Sequence, residues 1–359
     1  MAKRFILALT AFALAFPSLA HSEVTFLPSG DQPSDYFVEV GKGNVAGSDL
    51  MAKFGENPSI AAAAGFEVVW DAGGDYVVPT APSLHNIVSS LAADAGQVVS
   101  GPSTATGGSV TTLVDSEADF VTDSVVAGDR VLNDTTMMSG IVSTVDDLNT
   151  ITLLGTMTSP DTGLEGTANS SGDSYRIVRD ASTGASILHI AGLGSTRLEQ
   201  EEFVVLNGVG IVATTKLWSR QHRARIFATA ATDAAGTITS TAQSGGTVTL
   251  QVINGNNQTL MAVYTCPSNM ICYIIKWWGS LSKTTGGGAV AIMNLRAGTL
   301  DGVGYIVQTR AMDNAGSSNF TYDYAIPIAI PGGADVWVEA DTTSLVGVSS
   351  GFDIIKVNQ

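Results

Sequence analysis

A chain of 359 residues is too long for one ordinary domain and predicts two or three, each large enough to bury its own core. Only 14% of it is charged, 39 residues are glycine, and 17 Lys plus Arg stand against 33 Asp plus Glu for a formal net charge of −16. That balance argues against phosphate neutralisation on a nucleic acid, and 45% hydrophobic content without a heptad or G-X-Y period argues against coiled coil, collagen and wholesale disorder.

Lys3 and Arg4 precede an apolar run from Phe5 to Phe16, and Pro17, Ser18, Leu19 and Ala20 follow it. The run is short of the ~20 residues that cross a bilayer as a helix, and no membrane span follows. Residues 1–22 read either as an export signal with a cut after Ala20 or as a hydrophobic arm that docks on a partner. Next, YFVEV reads as a strand, and GKGNVAG as a glycine-rich turn. Gly41, Gly43 and Gly47 miss the dinucleotide spacing by one residue and no βαβ unit supports them. No cofactor is expected.

Residues 98–180 differ in composition. Twelve acids stand there against Arg130, Arg176 and Arg179, a balance of −9 of the total −16. VTTLVD, DRVLND, GIVSTV, TITLLG and SYRIV read as short strands of a small β-barrel-like module with an acidic outer face. Asp115, Glu117, Asp119 and Asp123 lack the glycine and terminal glutamate of an EF-hand loop, so a solvated face is the preferred reading over a calcium site. This module interrupts a discontinuous β domain formed by 23–97 and 181–232.

KLWSRQHRAR concentrates Lys216, Arg220, His222, Arg223 and Arg225 beside Trp218. In so acidic a chain the four cations Lys216, Arg220, Arg223 and Arg225 suit an acidic patch on a neighbouring subunit; alternatively they line an exposed strand whose long side chains cover apolar surface. Residues 233–359 carry the clearest alternation, with Val248, Leu250 and Val252 on one face and Thr247, Thr249 and Gln251 on the other. TLMAVYT, ICYIIKWW, ADVWVEAD and FDIIKV repeat the pattern between turns, which predicts an all-β chain of antiparallel, jelly-roll-like β-sandwiches. Cys266 and Cys272 flank PSNMI. Opposed positions of an antiparallel pair stand about 4.5 Å apart at Cα, within disulfide reach, and two buried thiols are the alternative.

Catalytic patterns are missing from the reading. His21, His85, His189 and His222 are scattered without metal-ligand spacing, and no G-x-S-x-G elbow occurs. Neither an enzyme nor a metal site is expected.

DYFVEVGKGNVAGSDLMAKFGENPSI, EVVWDAGGDYVVPT, EEFVVLNG, QTLMAVYTCPSNM and SSGFDIIKV, in that order, resemble a group of tailed-phage virion structural proteins common in marine viruses. TTLVDSEADF, VVAGDRVLN and STVDDLNTITLLG resemble a small β module that recurs in phage structural proteins. The resemblance implies a non-enzymatic component of the virion surface, as head decoration, cement or fibre. Its partners would be the major capsid protein or other virion proteins. Together with the opposed charges of the module and the cationic segment, it predicts a homotrimer. The alternative is a secreted β-rich adhesin or carbohydrate-binding protein, for which Trp70, Trp218, Trp277, Trp278 and Trp337 offer stacking faces.

Overall fold

The computed structural model describes residues 36–359 apart from 63–64, 160–165, 167, 181–182, 228–232, 284–288, 300–303 and 315–316. The signal-like or arm-like segment 1–22 lies outside the described residues. The described chain opens with α1 (Tyr36–Gly41), β1 (Ser48–Ile60), β2 (Glu67–Val68) and β3 (His85–Ser89). Seven strands follow: β4 (Gln97–Thr104), β5 (Gly107–Ser109), β6 (Thr112–Val114), β7 (Arg130–Asn133), β8 (Met138–Val145), β9 (Thr150–Leu153) and β10 (Ser174–Arg179). Then come β11 (Ile187–Gly194), β12 (Glu199–Val205), β13 (Val212–Ala213), β14 (Trp218–Ile226), β15 (Ile238–Ala242) and β16 (Val248–Val252). The last are β17 (Val263–Thr265), β18 (Met270–Lys283), β19 (Ala289–Gly298), β20 (Tyr305–Asn314), β21 (Ser317–Ile330), β22 (Asp335–Thr342) and β23 (Val346–Asn358).

The chain is all-β, and eight of its strands form a jelly roll. Its two sheets run β1-β23-β18-β21 and β17-β22-β19-β20, antiparallel throughout. The first strand therefore lies beside the last, with Ser48 opposite Val357. Alternation with period two sends Ala291, Met293 and Leu295 of β19, Val336 and Val338 of β22, and Val348, Phe352 and Ile354 of β23 into one core between the sheets. Each large apolar side chain buried this way contributes roughly 1.5–3 kcal/mol. Gly55 permits a close crossing, since a Cβ there would stand 2.3 Å from both the Val69 carbonyl oxygen and the Ala262 nitrogen.

Between β2 and β17 the chain builds a second, smaller sandwich from sheets β12-β11-β14 and β13-β3-β15-β16. Ile87, Leu188, Ile190, Trp218, Ile238 and Leu250 fill it. Between β3 and β11, in turn, residues 97–179 form a sheet of their own in the order β4-β10-β7-β8-β9-β6-β5. Its two terminal strands are consecutive in the chain, the order of a sheet that rolls towards closure. Leu113, Phe120, Ile151, Tyr175 and Ile177 make its core. The fold is thus nested: a β module within a sandwich within a jelly roll.

Two expectations change. The strand pairing does not separate 23–97 with 181–232 from 233–359, because β1 joins the C-terminal strands and β15 pairs back to β3. Which apolar faces meet is a nonlocal matter that composition along the chain does not reveal. YFVEV is the helix α1 and not a strand: the Lys42 and Asn44 N–H groups donate to the Val38 and Glu39 carbonyls, and of its described side chains only Val40 is buried. With so little to bury, the segment has no sheet face to offer. The glycines after it serve a turn, with Gly43 and Gly47 at φ of 75° and 72°.

Candidate assembly surface

The cationic segment is β14, and it lies between the two sandwiches. Trp218 and Ala224 point into the core of the smaller sandwich, where the Gln221 amide oxygen accepts from Ser240 and Thr249 hydroxyls at 2.6 and 3.0 Å. Register shifts at Ala191/Gly192 and Leu193/Gly194 break the simple alternation. Arg220 is consequently aimed at the jelly roll, where it meets Asp335 of β22 with only 4% of its surface exposed. His222, also buried, packs its ring 4.8 Å from that of Tyr264. Burial, reinforced by the charges of Lys53, Arg223 and Lys356, holds its imidazole well below the ordinary histidine range, so it is neutral.

Arg223 and the preceding Lys216 also donate within the chain, and the Arg225 backbone is held there. Arg223 donates to the Ala52 carbonyl of β1, Lys53 of β1 returns a bond to the His222 carbonyl, and Arg225 forms a backbone bridge with Gln258. Lys216 donates to the Glu201 carbonyl at 2.5 Å, beside the nearly buried Glu202 carboxylate that accepts from its backbone N–H. The acidic partner of Arg220 is therefore in the same chain. Arg220 in particular is corrected from a subunit contact to an internal joint, because a guanidinium this buried is held only where a carboxylate pairs with it.

With β14 covering the β1/β17 edge of the jelly roll, the opposite edge is formed by β20 and β21. Among the described residues β20 pairs only with β19, and β21 only with β18. The register of β21 on β18 jumps from Ile328 opposite Ile274 to Asp323 opposite Lys276, so residues 324–327 bulge outward against Ile275 alone. Ile326 at that bulge is 83% exposed, and Tyr305, Ile306 and Tyr322 are about half exposed. The Tyr322 and Tyr324 rings stack edge to face at 4.8 Å. A hollow of about 110 Å³ at the seam between the two strands is lined by Trp277, Gln308, Arg310, Phe320, Thr321 and Tyr322.

The acidic module presents Glu117, Asp119, Asp123, Asp146 and Asp147 to solvent on two loops tied together by the Phe120 N–H to Leu148 carbonyl bond. Asp115 turns inward instead, accepting from Ser103 and Tyr175 hydroxyls at 2.7 Å each. The Thr122 amide and hydroxyl hold the Asp119 carboxyl below its usual range, as the Thr152 and Thr144 hydroxyls do that of Asp146. No group of three or more metal-ligating side chains occurs among the described residues. Between this module and the smaller sandwich lies a cleft of about 500 Å³ walled by Val98, Met137, Phe203, Val205 and Val212. At its rim Arg176 makes a bidentate pair with Asp134 at 2.6 and 2.8 Å.

Cys266 and Cys272 are joined as a disulfide with Cα atoms 5.9 Å apart. They are not opposed in one ladder, as the sequence spacing suggests. β17 and β18 belong to different sheets, so the bridge clasps a corner of the jelly roll with both residues in its core. Trp70, Trp218, Trp277 and Trp337 are buried, and Trp278 is half-buried. His85 and His189 are buried as well; burial brings the His85 imidazole down to about 4, while His189 sits 3.1 Å from Glu201. His21 lies outside the described residues.

No protein-family model and no curated protein matches the chain. Among solved structures it is similar to the infectious bursal disease virus Gt strain structure, with 9% identity over 91% of this chain and 75% of that one, at a TM-score of 0.18. It is similar to the infectious bursal disease virus VP2 subviral particle with 10% identity over 86% and 72%, at a TM-score of 0.17. Superpositions at that level carry no argument about function. Among the described residues no helix is long and apolar enough to cross a membrane.

Proposed function

We propose that this protein is a non-enzymatic structural subunit of a virus particle. In this reading it sits on the particle surface as a decoration or cement protein, a homotrimer bound to the major capsid protein or another virion component. The observation that carries the reading is the jelly-roll strand order, a four-stranded sheet facing one of four strands extended by the short β2, in which the first strand pairs with the last. Such double-sheet jelly rolls occur in viral capsid and lectin domains and in cupins. Against the lectin alternative, four of the five tryptophans that would offer stacking faces are buried.

Two further features support assembly. An edge of the jelly roll shows apolar side chains to solvent, and the sequence segments from Asp35 onward resemble tailed-phage virion proteins. The strongly negative charge suits an outer surface better than contact with packaged nucleic acid.

The test is the solution mass of the full recombinant chain by light scattering, paired with a glycan array. A trimer that ignores glycans and whose peptides are found in density-purified particles is the expected result. A monomer at every concentration that binds a glycan overturns the reading in favour of the carbohydrate-binding alternative.

A further inference from the structure

We infer that the β20/β21 edge of the jelly roll is the docking surface for a second copy of this chain. The inference rests on the reading that the protein assembles from its own copies, and adds where they meet. A strand edge with unpaired N–H and C=O groups templates further pairing, and proteins ordinarily blunt it with lysine, proline, short strands or a covering element. The β1/β17 edge is covered in this way by β14, through the Arg223 to Ala52 bond and the buried Arg220–Asp335 pair. The β20/β21 edge is not. Its strands are 10 and 14 residues long, and Tyr305, Ile306, Tyr322 and Ile326 project from them into solvent. Pro327 and the bulge around it are blunting devices on this edge, but the same bulge carries Ile326 into solvent.

Charge selects the occupant. Two copies of a chain at −16 repel each other wherever their acids face, most of all across the module, whose balance is −9. On the open edge charges are few instead: β20 carries Arg310, set over the Phe320 ring, and Asp313, and Asp323 of β21 pairs with Lys276 at 3.6 Å. An apolar, tyrosine-bearing strip with few charges is where two identical acidic proteins meet the least repulsion, whereas a basic partner would be drawn to the module. Tyrosine is also among the residues around which contact energy concentrates.

The test compares the wild-type chain with the double variant Tyr322→Ser/Ile326→Asp, measuring self-association by light scattering over a dilution series and folding by thermal melting. Both residues are exposed, so the melt is expected to stay as in wild type while the dissociation constant rises at least about tenfold. A photo-crosslinking amino acid placed at position 326 of the otherwise wild-type chain is expected to capture residues of another copy. If the double variant associates as tightly as wild type, or if the crosslinks fall within residues 1–35 of the same chain, the docking surface is wrong while self-assembly stands. A wild-type chain that stays monomeric overturns the assembly reading itself.

Discussion

The guanidinium of Arg220 reaches the carboxylate of Asp335 across 115 positions of sequence, Nε to Oδ1 at 3.1 Å and Nη2 to Oδ2 at 3.3 Å, with both side chains buried. Thr265 donates its hydroxyl to the same carboxylate. The pair joins β14 of the smaller sandwich to β22 of the jelly roll, so a strand rich in cations acts as the joint between two bodies of one chain.

Removing one partner leaves the other buried and unpaired. Arg220→Ala and Asp335→Ala are each expected to destabilise the protomer by about 3–5 kcal/mol, and Arg220→Met combined with Asp335→Leu to recover most of that. Urea unfolding of the three variants checks it. Arg220→Glu is expected to unfold the chain, so a loss of assembly in that variant would not report a subunit contact.

Asp71 gives a pH-dependent test. Burial raises its carboxyl to about 7, opposed by the Leu260 N–H and assisted by Glu56. The folded protein therefore holds a proton that the unfolded chain has released above pH ~4, and stability falls as pH rises from there to about 7. Asp71→Asn is expected to stabilise the protein at pH 8 by roughly 2–4 kcal/mol and to change little at pH 4, read from denaturant midpoints. Equal gains at both pH values would contradict the assignment.

Asp94 closes the point where the β module leaves the smaller sandwich. Its carboxylate accepts from the Ser89 hydroxyl and from the N–H groups of Ala185, Ala235 and Gly236, at 2.5–2.9 Å. Burial pushes its pKa up, but these bonds outweigh it and the net shift is downward. Its stabilisation is thus present above the ordinary carboxylate range and lost as pH falls below it. Asp94→Ala is expected to cost about 2–4 kcal/mol at pH 7, a deficit that shrinks in acid. Thermal melts across pH measure it.

The same clasp holds the ends of the module together, so replacing residues 97–179 by a short Gly/Ser linker is expected to leave a soluble chain with one cooperative melt. It uncovers Ile187, Phe203 and Val205, which pack against Leu132 and Val178 of the module. Binding of a hydrophobic dye is therefore expected to rise. An aggregated product would show that the module belongs to the core.

The Cys266–Cys272 bridge closes a loop with a sequence separation of 6. By loop entropy its loss in a Cys266→Ser/Cys272→Ser variant is expected to cost about 2 kcal/mol. Intact mass after alkylation without reductant is expected to show no free thiol.

What the amino-acid order determined by itself is the local pattern. Alternation marked β17, β18, β22 and β23, and the acidic composition of 98–180 marked the module whose strands run from Gln97 to Arg179, because side-chain periodicity and turn chemistry act between near neighbours. Only the tertiary structure decided which strands share a sheet. Nothing in SDLMAKF announces that it will lie beside FDIIKV at the far end of the chain, since that pairing is settled by which apolar faces exclude water together. The same holds for charge. Thr249 lies on the polar face of the alternating segment and is nonetheless buried on Gln221, and Arg220 reads as a surface cation and is buried on Asp335. Sequence carries the sign of a charge; folding chooses the charge that it meets. The apolar edge at Tyr322 and Ile326 was legible to neither composition nor spacing, because it depends on β21 ending a sheet and bulging against β18.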